Sequence, residues 1–87
     1  MILKKYLRYE PTPSNKKGEP YALIVADKVN GEFKFGWSVC HELDTFDRNK
    51  ANLIAINRMN NGTRKQEPIY ITNAIEQLKV RCEKYFK

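Results

Sequence analysis

The sequence predicts an α+β domain: a small antiparallel β-sheet of three to four strands with two helices packed on one face. Three observations predict it. YALIVA, residues 21–26, is an unbroken apolar run of strand length. Asn30-Gly31 separates it from the alternating run EFKFGWSVC. An Asn-Gly pair between strand-like runs marks a tight hairpin, because both central residues of the turn need positive φ. The second half of the chain then carries its apolar residues at helical spacing. The predicted order is β-β-β-α-β-α, in one domain spanning residues 1–87.

Taken in order, Ile2 to Tyr9 reads as the first strand. Lys4, Lys5 and Arg8 suit an edge position, where cations discourage strand addition. Pro11, Pro13, Ser14, Asn15, Gly18 and Pro20 form a loop with Lys16 and Lys17 at its tip. YALIVA is apolar on both parities, which suggests a central strand covered on both faces, or a close small-residue contact at Ala22 and Ala26. On the return strand, Glu32 to Cys40, residues Phe33, Phe35, Trp37 and Val39 share one face, with Lys34, Gly36, Ser38 and Cys40 on the other. A row of rings beside a lysine superficially suits base stacking. A domain this small needs that area for its core, and core is the reading adopted.

The first helix is expected to begin near Asp44, with Asp44 or Thr45 accepting hydrogen bonds from free amides and Asp47 near the positive end of the dipole. Asparagines and Gly62 stop it near Met59 to Asn61. Its amphipathicity is poor: Ala51, Ile54, Ala55 and Met59 fall on one side, and Phe46, Leu53 and Ile56 on another. Pro68 to Thr72 is a short β-rich run. Asn73 and Glu76 have capping-box spacing, with Thr72 as the rival cap. The final helix carries Ile75, Leu78, Cys82, Tyr85 and Phe86 in one stripe.

Composition is that of a globular domain, with 41% apolar and 30% charged residues. The net charge of +6 favours an acidic partner, either protein or nucleic acid. MILKKYLRYE has charge where a secretory signal needs an apolar run, and no segment reaches membrane-spanning length. Two cysteines are too few for a disulfide framework. The expectation is a cytoplasmic protein with both thiols reduced and no membrane partner.

Little in the chain suggests chemistry. Cys40 and His41 are adjacent, but neighbours leaving a strand point in different directions, and a nucleophilic thiol needs a base within reach. A zinc site needs about four ligands at a recognisable spacing, which is not present. Asp44 and Asp47 serve better as helix-start groups than as an acid/base pair. There is no glycine-rich phosphate loop. The expectation is a non-enzyme with no catalytic residue, no metal and no cofactor.

The charge pattern is more informative. Glu42, Asp44 and Asp47 precede the first helix, and no acid interrupts the run from Arg48 to Gln66. Arg48, Lys50, Leu53, Ile56, Arg58, Arg64 and Lys65 are the candidate partner-binding residues: an apolar centre with a basic rim. Arg58 has a second reading, with its stem laid over the core and its head in water.

The segment from Ser38 to Arg58 resembles a pattern found in small, mostly uncharacterised proteins of tailed bacteriophages. There a strand ending in Cys is followed by a polar loop, Asp-x-Phe, a basic residue and an Ile-Ala-x-x-Arg helix. The matching positions are Cys40, Asp44, Phe46, Arg48, Ile54, Ala55 and Arg58. A glycine frequent early in that helix is replaced here by Ala51 or Asn52. The resemblance implies a small phage protein in the bacterial host cytoplasm, of the kind that binds and redirects a host protein such as a defence or nucleic-acid-processing factor. Self-association through the same surface is a further option. The alternative function is a DNA- or RNA-binding regulator using the basic helix and loop 48–65.

Overall fold

A computed structural model describes residues 2–14, 16, 18–40, 45–62 and 67–85. Three strands, β1 (Leu3–Arg8), β2 (Pro20–Val29) and β3 (Glu32–Val39), form an antiparallel sheet in the order β1-β2-β3. Two helices follow, α1 (Arg48–Asn61) and α2 (Ile69–Tyr85). The class is α+β. The hairpin forms at the expected turn: Asn30 and Gly31 have φ of 53° and 82°, and Val29 faces Glu32 across it.

The sheet is covered on both faces, which corrects the expectation of two helices on one face. Ala22, Ile24 and Ala26 of β2 join Phe35 and Trp37 of β3 under Ile71, Ala74, Ile75, Leu78 and Cys82 of α2. Leu23 and Val25 point the other way and pack with Ala51, Ala55 and Met59 of α1. Successive strand residues project to opposite faces, so an apolar run on both parities of β2 needs two covering layers. All five residues from Ala22 to Ala26 are fully buried. The rings of Phe35 and Trp37 belong to the core, as expected from the size of the domain.

One glycine sets the distance of α1 from the sheet. A Cβ built on Gly36 would stand 1.9 Å from the Ala55 carbonyl oxygen and 2.6 Å from the Met59 amide nitrogen. The helix backbone therefore rests directly on β3, with Ala51 and Ala55 as the small residues at the crossing.

The element ends also depart from expectation. Asp47, not Asp44 or Thr45, caps α1: its carboxylate accepts from the amides of Asn49 at 2.9 Å and Lys50 at 3.1 Å. Asp44 lies outside the described residues. Gly62 closes the far end by donating to the carbonyls of Arg58 and Met59.

Pro68 to Thr72 is not a strand. Pro68 accepts from the amides of Ile71 and Thr72 and opens α2, so the order is β-β-β-α-α, and Thr72, Asn73 and Glu76 lie inside the helix. Proline is compatible with a helix start, and the Glu67 carboxylate, which accepts from the Thr72 hydroxyl, sits at the favourable end of the dipole. Ile71 and Ile75 reach the core from this first stretch, so burial outweighs the β preference of the run. Ile75, Leu78 and Cys82 are fully buried, whereas Tyr85 is exposed and Phe86 lies outside the described residues.

Two substitutions test the two layers. Leu78→Ala is expected to cost about 2–4 kcal/mol by leaving a cavity under α2. Gly36→Ala adds only a methyl group, yet it is expected to cost about 3 kcal/mol or more, because the clash is with backbone. A thermal melt of Gly36→Ala matching the unmodified protein would contradict the close helix–strand contact.

Candidate functional site

The candidate residues on α1 separate into three environments. Ala51, Ala55 and Met59 face the sheet. Leu53 points directly away and is 70% exposed. Its neighbours one helical turn away are Asn49, Lys50, Ile56 and Asn57. Ile56 is half-buried and packs against the Leu23–Val25 layer together with Tyr6 and Phe46. Lys50 is exposed on the side of β3. Arg64 and Lys65 lie outside the described residues.

Arg58 leaves this surface. Its guanidinium stands 4.2 Å from the centroid of the Trp37 ring and donates to the Trp37 carbonyl at 2.9 Å. The Cys40 amide donates to the Tyr21 carbonyl, a pattern that makes Ile24–Trp37 a non-hydrogen-bonded pair and turns the Trp37 carbonyl to the open edge of the sheet. Arg58 thus reaches around β3, from the α1 face to a ring on the α2 face. It occupies an edge acceptor that another strand could otherwise use.

Arg48 lies on the other side of α1, over β1. Its guanidinium is 5.4 Å from the centroid of Tyr6, and that of Arg8 is 5.7 Å from the same ring. Phe46 meets Tyr6 edge-on, with centroids 6.1 Å apart. Sequence reasoning did not select Tyr6 or Arg8. The alternation of Lys4, Tyr6 and Arg8 was visible, but nothing in the sequence places Arg48 beside them.

A second aromatic cluster was also missed. Tyr21 lies between Tyr9 and Tyr70, with centroids 4.8 and 6.3 Å away. The register shift between Leu7 and Arg8 coincides with the turn of Tyr21 toward the α2 side, out of parity with Leu23. Burial first, and then the neighbouring Tyr21 and Tyr9, push the Tyr70 hydroxyl up, so it stays protonated.

An open cleft of about 480 Å³ lies between the end of β3 and the first turns of α1. Ser38, Cys40, Thr45, Asp47 and Lys50 supply its polar lining. The Asp47 carboxylate is committed to the helix amides. His41 and Glu42 lie outside the described residues. Among those described, no three His, Cys, Asp or Glu side chains gather as metal ligands would, and no helix is long and apolar enough to cross a membrane. Comparison with protein-family models, with characterised proteins and with solved structures finds no match to this chain.

Both cysteines are free thiols, and they differ in environment. Burial pushes the Cys82 thiol up, with Arg81 acting more weakly in the opposite sense. A raised pKa lowers the thiolate fraction, and Cys82 is fully buried. A thiol reagent at neutral pH is expected to label Cys40 in the native protein and Cys82 only after unfolding. Arg58→Ala is expected to lower stability by about 1–2 kcal/mol, because it removes both the ring contact and the edge hydrogen bond. A Tm unchanged by this substitution would return Arg58 to the outer surface.

Proposed function

We propose that this is a non-enzymatic binding protein that occupies a surface of another protein through the outer face of α1. The observation that carries this reading is Leu53, 70% exposed at the middle of a helix, with half-buried Ile56 beside it and the cations of Arg48 and Lys50 at the margins. An apolar anchor with a basic border suits a partner that offers an apolar patch bordered by carboxylates. The bacteriophage resemblance supplies the setting: a bacterial host protein as partner, met in the host cytoplasm. The polar side chains around Leu53, Asn49 and Asn57 above all, supply hydrogen-bonding groups rather than further apolar area. The interface is therefore small in its dry centre and depends strongly on one side chain.

Affinity capture from nuclease-treated bacterial lysate tests this. The unmodified protein is expected to retain a defined protein species. Leu53→Asp should reduce retention at least about tenfold, with Tm nearly unchanged, because the position is solvent-exposed. Lys50→Glu should weaken retention more at low salt than at high salt. Equal capture by all three proteins would exclude the outer face of α1 as the interface.

A further inference from the structure

Two guanidiniums converge on one ring at the margin of the sheet. Arg8 comes from β1 and Arg48 from the first turn of α1, and both lie within 6 Å of the Tyr6 centroid. Among the described residues, neither is paired with a carboxylate. Asp47, the acid beside Arg48, is turned to the helix amides, and neither Glu10 nor Glu19, the acids nearest Arg8 in sequence, pairs with it. Two cations gathered at one ring without a carboxylate leave a local excess of positive charge, which an anion approaching either of them relieves. The arrangement is also held in place. Arg8 donates to the Gly18 carbonyl at 3.0 Å, and Phe46 packs on Tyr6 in a T-shaped contact. A preformed pair of cations loses less freedom on meeting its ligand than two loose side chains would.

The row along the strand identifies the ligand class. The register sets Lys4 opposite Val25 and Tyr6 opposite Leu23, on the α1 face, and Arg8 closes on the same ring. Alternate residues of a strand repeat about every 6.7 Å, close to the length of one extended nucleotide. The row offers cation, ring, cation along an open sheet edge, with Arg48 above the ring. Phosphates can meet the cations while bases stack on the planar guanidiniums and the exposed part of the ring. An acidic peptide could match the charge and, if extended, the repeat, but its carboxylates bring no flat base to stack on the guanidinium faces. We infer that Lys4, Tyr6, Arg8 and Arg48 form a binding site for single-stranded nucleic acid, with its backbone running along β1. This site meets the outer face of α1 only at Arg48 and does not rest on the reading of Leu53.

The test is fluorescence anisotropy with labelled single-stranded DNA and RNA of about 16 nucleotides, titrated at about 50 and 200 mM salt. The unmodified protein is expected to bind with a strong salt dependence. Arg8→Ala with Arg48→Ala should weaken binding more than about tenfold at the lower salt, and the slope of log K against log salt should fall by about 1.4, the value for two phosphate contacts on a single strand. Lys16→Ala with Lys84→Ala removes the same charge elsewhere and should change affinity less than about twofold. Trp37 fluorescence and a thermal melt check each variant. If the arginine pair does not fold, Arg48→Ala alone is read in the same way, with half the change in slope. Three results would overturn the inference: no binding at the lower salt, equal losses in the two double variants, or displacement of the oligonucleotide by polyglutamate as readily as by unlabelled oligonucleotide. The last would mark a site for acidic protein instead.

Discussion

The backbone contact between Gly36 and the third turn of α1 is the constraint from which the rest of the α1 layer follows. With no Cβ at residue 36, the Ala55 carbonyl can lie where a methyl group would otherwise stand. That approach fixes both the height and the rotation of the helix. Ala51, Ala55 and Met59 must face the sheet, so Leu53 must face solvent. Arg58, nearly one turn beyond Ala55, comes close enough to the edge to reach around it to Trp37. Arg48 comes to lie over Tyr6 at the opposite margin. A bulkier residue at 36 would lift the helix and loosen all three placements together.

Much of the sheet was legible because its signals are local. The Asn30-Gly31 turn, the alternation of β3 and the charges of β1 each report a conformation that neighbours in sequence dictate. The unbroken apolar run of β2 also held the clue to two covering layers. The one-face expectation failed because the amphipathic patterns of the helices do not say which side of a sheet they cover. Pro68 to Thr72 was misread for a related reason: Ile69, Ile71 and Thr72 favour a strand by propensity, but Ile71 and Ile75 are buried together only if the segment is helical.

The candidate surfaces were legible only in part. Lone exposure of Leu53 follows from the poor amphipathicity of α1, which the sequence shows directly. The inward turn of Arg58 does not follow, since it depends on an edge carbonyl presented by a strand 21 residues earlier. The meeting of Arg8 and Arg48 on Tyr6 is likewise a tertiary fact: forty residues separate the two arginines, and only the packing of α1 across the sheet brings them to one ring.

Arg48 and Arg58 show how position on one helix divides the same side chain between two roles. Both place a guanidinium over an aromatic ring, but Trp37 is buried and Tyr6 is only partly so. Over Trp37 the cation also finds a carbonyl acceptor, and its hydrogen-bonding capacity is partly spent inside the chain. Over Tyr6, Arg48 shares the ring with a second guanidinium and faces solvent. Cation–ring contacts at exposed sites contribute only about 0.5–1 kcal/mol, so Arg48 adds little to stability and keeps its donors for an external acceptor. Leu53 is in the same position for apolar contact. The fold rests on Gly36, β2 and the inner stripes of the two helices, and the residues offered to partners lie outside that set. Substitutions at Leu53 and at Arg48 can therefore separate binding from folding, and Leu53, which belongs to one surface alone, tells the two apart.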